Sequence, residues 1–260
     1  MPAFTTPGPV IASVTVGGAR VRITASDRTD TVVLVEPINQ ASQSDVKVAS
    51  KTKVDFASGQ LTVKTTKSGD KDGSVAITID LPAGSGLVAY LAHSSVHAAG
   101  SLGECELHLA AGRVQLDRIA GLQANISGGD VAVGRIAGRA SIQSRAGQVR
   151  IGTAAADLEL SGAGGSVDID RADGSVTVTA ADSPIRIGRL TRGQAKLMNA
   201  SGNIDIGIGE STAASVEATS ERGSVRNSVP SPDDPAAFDD KLAVHARTRH
   251  GDIIIHRAAS

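Results

Sequence analysis

Small aliphatic side chains return at a nearly fixed spacing along most of this chain. The first apolar residue of each Gly-x-[Val/Ile]-x-[Val/Ile/Leu] run falls at Val114, Val131, Val149, Val167, Ile185, Ile204, Val225 and Ile253, in steps of 17, 18, 18, 18, 19, 21 and 28. Two residues later a second apolar position recurs from Leu116 to Ile255, with Asn227 the exception. Two residues before each start stands a glycine, and only Ser183 (beside Pro184) breaks that column. Seven and nine residues before each start lie two further apolar columns, running from Leu107 and Cys105 to Ala246 and Val244.

Each unit therefore reads as strand, glycine turn, strand, second turn, with apolar and polar positions alternating at the period of a strand. Eighteen residues are too few for a strand, a crossover helix and their loops. They suit one coil of a parallel β-solenoid, in which every coil bonds to its neighbours. A coil buries four or five aliphatics worth roughly 1.5–3 kcal/mol each, while ordering its backbone costs roughly 1–2 kcal/mol per residue. No coil stands alone, so the pattern predicts stacking.

The template reaches back more weakly to Leu87, Ala89, Val96 and Ala98, to Thr52, Val54, Gly59, Leu61 and Val63, and to Ala12, Val14, Val21 and Ile23. A short helix is expected over Ser44–Lys51, with Asp45 near its start, and a polar hairpin loop over Lys67–Ser74. The expected fold class is all-β: a parallel β-solenoid over 87–260 with two short strands per coil, continuous with an irregular N-terminal β cap over 1–86. The whole is read as a single structural unit. The step of 28 is read as a coil carrying an inserted surface loop, 228–240, because Pro230, Pro232 and Pro235 cannot donate to a strand ladder.

Composition narrows the function classes. Lys+Arg number 26 and Asp+Glu 27, so no net field draws nucleic acid or anionic lipid. Aromatics are Phe4, Phe56, Phe238 and Tyr90, with no Trp, too few for stacking single-stranded bases. One cysteine, Cys105, excludes an intrachain disulfide and a thiolate zinc cluster. The longest apolar run, Leu87–Ala92, is far short of a membrane-spanning helix. The opening residues show neither a basic start nor an apolar stretch of signal-peptide type, and a cytoplasmic location is expected.

Phe4-x-x-Pro7 followed by Val21-Arg22-Ile23-Thr24-Ala25-Ser26-Asp27-Arg28-Thr29-Asp30-Thr31-Val32-Val33 resembles the opening of a bacterial β-strand-repeat family of unknown function named "putative adhesin". Leu81-Pro82-Ala83-Gly84-Ser85, Leu102-Gly103-Glu104-Cys105 and Gly251-Asp252-Ile253 match typical segments of it, so the resemblance covers essentially the whole chain. It implies a parallel β-solenoid-like fold and no established activity.

Candidate chemistry is sparse. Asp168-x-Asp170-x-x-Asp173-Gly174 has a third acid one residue late for a calcium loop and Thr179 where the closing Glu belongs; it reads as a solvated strand face. Arg118, Arg135, Arg171 and Arg189 share one column, four residues after the strand start, and form a candidate interaction edge able to meet a polyanion. His93 and His97 flank a turn, and His245, His250 and His256 cluster near the end; surface positions are expected for all five. Cys105 lies in an inward column between two glutamates and reads as a structural thiol. Ile253, Ile254 and Ile255 break the alternation with an outward Ile254, which marks a cap or an assembly contact at a coil end. No catalytic set, metal site or cofactor is expected. The chain is read as a non-enzymatic scaffold or interaction module, with a protein partner of unknown identity or self-association through coil ends, no nucleic acid and no membrane insertion. The alternative is a carbohydrate-active β-helix enzyme or a polysaccharide-binding protein.

Overall fold

The computed structural model describes residues 2–65, 73–230 and 240–258. Most of the hairpin loop expected at 67–74 and most of the inserted loop 228–240 lie outside the described residues. Strand dominates, and two compact units divide at Val131/Ala132.

In the first unit, alternation builds the interior. Strands β2 (Ile11–Gly17) and β3 (Ala19–Ser26) turn Ala12, Val14, Val16, Val21 and Ile23 inward. A 41-residue run, β8 (Gly86–Ile126), pairs in parallel with both, Val14 opposite Ala89 and Val21 opposite Val96. On their other side lie β6 (Gln60–Lys64) and β7 (Val75–Pro82), also parallel, with Val14 opposite Val63 and Ile23 opposite Ile79. The first coil of the sequence is thus an interior coil. The outer one is closed by antiparallel strands: β4 (Asp30–Pro37) on β7, β1 (Ala3–Thr5) on β4, and β5 (Lys53–Ala57) folded back on β6. Phe4 stacks on Phe56 at 5.0 Å between ring centres.

The expected helix is present as α1 (Gln43–Lys51), where the Ser42 hydroxyl accepts the Asp45 N–H as an N-cap. The Asp45 carboxylate accepts from the N–H groups of Asn39 and Ser74 at 2.9 Å each. These bonds hold its pKa below the ordinary carboxylate value, the Ser74 bond contributing most.

The second unit follows from β9 (Asp130–Ile136) and contains β10 (Ala140–Ser144), β11 (Gln148–Ala154), β12 (Leu158–Gly164), β13 (Ser166–Ala172), β14 (Val176–Asp182) and β15 (Ile185–Leu190). It continues through β16 (Gly193–Ser201), β17 (Ile204–Ile208), β18 (Thr212–Arg222), β19 (Val225–Asn227), β20 (Asp240–His250) and β21 (Ile253–Arg257). The expected parallel ladders hold in register: Val149 opposite Val167, Val167 opposite Ile185, Ile185 opposite Ile204. The same columns join Leu158 to Val176 and Val176 to Ala195.

The order of the last coils departs from sequential stacking. Strand β20 lies between β16 and β18, Val244 facing Ala195 on one side and Val216 on the other. Likewise β21 lies between β17 and β19, Ile253 facing both Ile204 and Val225. The coil made last is inserted, and the coil of β18 and β19 is outermost among the described residues. Arg257 ties the arrangement by donating to the carbonyls of Gly209 and Thr212 at 2.7 and 2.9 Å.

The glycine column has a double cause, seen at Gly165. Its φ of +109° disfavours a side chain, and a Cβ there would collide with the Gly147 carbonyl of the neighbouring coil. Close stacking and the turn conformation both select glycine.

Candidate binding surfaces

Inward positions carry no apparent chemistry. Cys105 is buried, its sulfur 3.7 Å from the Gly103 carbonyl. Burial above all, with Glu104 adding, pushes the thiol up to about 12, so it stays protonated and un-nucleophilic at neutral pH.

Outward positions form columns one strand spacing apart. In the second unit the column one residue after the strand start alternates in sign as Arg150, Asp168, Arg186 and Asp205, each in register with the next. Asp168 accepts from Arg186 at 2.8 Å and lies 3.5 Å from Arg150, while Asp205 meets His256 at 3.0 Å. The carboxylates of 168–173 are thus tied to basic side chains, with Asp170 3.6 Å from Arg186 and Asp173 2.8 Å from Arg171. No group of three His, Cys, Asp or Glu able to hold a metal occurs among the described residues.

Of the proposed arginine edge, Arg171 and Arg189 stand opposite each other, with Thr153 opposite Arg171 on the next strand. Arg118 lies beside Asp117 at 3.8 Å, Arg135 is exposed, and Arg189 is half-buried. Arg118 and Arg171 are thus paired with carboxylates close by in sequence, Asp117 and Asp173.

The histidines disperse. His245 meets Glu217 at 3.0 Å, His250 approaches Arg222, and His97 pairs with Gln115 at 3.2 Å. Ile253 and Ile255 are fully buried and Ile254 is 38% exposed. The sequence reading put these three at the end of the stack; strand pairing puts them one coil inside it. Ile254 stands outward between Asp205 and Arg226.

The outermost coil of the second unit is the least satisfied. Strand β18 bonds along one edge, to β20, among the described residues. Val216 and Ala218 occupy inward columns yet are only half-buried, and inward-column Val225 is 42% exposed.

The first unit carries a feature the sequence reading missed. Arg20 and Arg22 on β3 lie opposite Ser95 and His97 on β8. With Arg113 and Gln115 they border an open depression of about 420 Å³. The two β3 arginines were invisible as a cluster because their neighbours are distant in sequence and strand pairing alone brings them together.

No helix among the described residues is long and apolar enough to cross a membrane. The structure is similar to that of a "putative adhesin" from Bacteroides fragilis NCTC 9343, with 13% identity, a TM-score of 0.50, and coverage of 98% of this chain and 95% of that one. A second, a "putative adhesin" from Parabacteroides distasonis ATCC 8503, aligns at 13% identity over 98% and 95% of the chains with a TM-score of 0.44. At such identity the first of these likenesses speaks for the fold alone. No curated protein matches. The sequence itself matches the family described as Toastrack DUF4097 over residues 12–256, and the chain belongs to that family.

Proposed function

We propose that this chain is a non-enzymatic scaffold that engages a protein through the outermost coil of its second unit. The observation that carries the reading is the edge of β18 and β19: strand β18 is hydrogen-bonded along one side among the described residues, and Val216, Ala218 and Val225 stand incompletely covered. Such an edge accepts an extended segment by strand addition, with main-chain bonds supplying affinity and alternate side chains specificity. The segment that fits is a strand whose small apolar residues alternate with polar ones, continuing the inward columns.

The strand comes either from a second copy or from another protein, and two measurements separate them. Light scattering over a concentration series reads self-association. Comparative capture from the native cell reads a foreign partner. In both, Val216→Lys with Val225→Lys abolishes the contact while Ile11→Lys, at an exposed position of the first unit, preserves it. A concentration-independent monomer whose captured proteins are unchanged by the paired lysines overturns the reading. Turnover of an acidic polysaccharide would overturn its non-enzymatic part. The scaffold is expected in the cytoplasm, and fractionation that finds it on the cell surface would sink that expectation.

A further inference from the structure

We propose that the outer face of β3 and β8 in the first unit is a binding site for an acidic oligosaccharide. This goes beyond the scaffold reading and uses a different unit. The guanidiniums of Arg20 and Arg22 have no hydrogen-bond or ion-pair partner among the described residues. They are two residues apart on one strand, so their backbone positions are about 7 Å apart. Arg113 follows Ser95 by one coil, and Ser95 faces Arg20, which puts the two arginines two strand spacings, about 10 Å, apart. His97 stands beside Arg22 and holds Gln115 at 3.2 Å.

The depression they border contains no carboxylate side chain. At the site's margin Asp130 lies 3.5 Å from Arg113. Three guanidiniums at these separations match a ligand that presents several anions along an extended backbone, because each planar fork grips a carboxylate or sulfate through two donors. The groups beside the cations are Thr78, Ser95 and Gln115, hydroxyl and amide partners suited to sugar hydroxyls.

Other anionic macromolecules fit less well. No Phe, Tyr or Trp lines the depression, and the single imidazole of His97 is too little to stack successive bases. Val21, Ile77 and Val96 beneath it are buried, so no apolar side chain projects to enter a bilayer. The flat, open sheet surface favours a flexible linear chain over a compact anion.

The test titrates the full chain with defined oligogalacturonate, and separately with a sulfated oligosaccharide of equal length, by calorimetry at low salt. Saturable binding of either is expected, weakening as salt screens the charges, and the two arms show whether carboxylate or sulfate is preferred. Arg20→Gln with Arg22→Gln should lower affinity at least tenfold. Arg150→Gln with Arg186→Gln, in the second unit, should leave it within twofold. Absence of binding to both sugars, equal losses in the two double variants, or tighter binding of duplex DNA or phosphatidylserine vesicles would each overturn the proposal. Val216→Lys with Val225→Lys leaves this titration unchanged, so its failure and that of the scaffold reading are distinguishable.

Discussion

The same outward column is used in opposite ways by the two units. In the second, Arg150, Asp168, Arg186 and Asp205 alternate in sign, and each guanidinium has a carboxylate on a neighbouring strand. In the first, Arg22 and His97 occupy that column and Arg20 and Arg113 the adjacent one, with no acid facing the two β3 arginines. The interiors obey one rule, small aliphatics in register. A repeat thus fixes what faces inward and leaves the outer columns free, so charge balance marks a structural face and its absence marks a candidate contact.

The largest expected effect tests the shared rule. Ile23→Ala in the first unit and Ile169→Ala in the second, both fully buried, should each destabilise by roughly 2–5 kcal/mol in chemical unfolding. Clearly unequal costs would break the claim that the interiors are equivalent. Next come two turns. Gly59→Ala meets only an unfavourable φ of +77° in open space and should cost about 1–2 kcal/mol. Gly165→Ala must also displace a carbonyl and should cost more, as thermal unfolding would report.

Smaller effects sharpen the contrast in the outer column. Asp168→Asn removes the acid between Arg150 and Arg186, whose side chains are more than half exposed. A loss of no more than about 1 kcal/mol is expected, shrinking with added salt. Arg22→Gln breaks no pair and should stay within about 0.5 kcal/mol. A cost for Arg22→Gln equal to that for Asp168→Asn would erase the distinction.

The smallest effect concerns pH. Asp45 in the first unit and Asp252 in the second are both held below the ordinary carboxylate pKa, by backbone N–H bonds from Ser74 and Ser224 respectively as the leading cause. A lowered folded-state pKa means stability fully present above the unfolded value and lost as pH falls toward the folded one. Melting temperatures should therefore fall on acidification through that window. Asp45→Asn and Asp252→Asn should each flatten part of the decline, and a slope unchanged in both variants would rule these carboxylates out as its source.

Much of the interior was legible because burial imposes periodicity. Val149, Val167, Ile185 and Ile204 announce their ladder by spacing alone, and Asp45 announces a helix start, while the Ser42 cap emerged only with the fold. The order of the last coils was hidden because the columns are interchangeable: Val244 fits beside Ala195 or Val216 equally, and spacing cannot choose between them. Residues Ile253–Ile255 were misplaced for that reason. The arginine column was legible as a column, yet side chains a residue or two away, such as Asp173 beyond the end of β13 beside Arg171, decide whether it is charged in effect. Arg20 escaped notice because Ser95 and Arg113 reach it only through pairing between strands distant in sequence.

The insertion of β20 and β21 bears on biosynthesis. A nascent chain emerging from its amino end cannot complete the second unit winding by winding, because the later segment of β20 and β21 must enter between two that are already made. Either β18 and β19 wait undocked or they first pair with β16 and β17 and are later displaced, a slow, non-local closing step. Loss of β20 and β21 would therefore leave a gap within the ladder, where removing a terminal coil of an ordinary solenoid would merely shorten it.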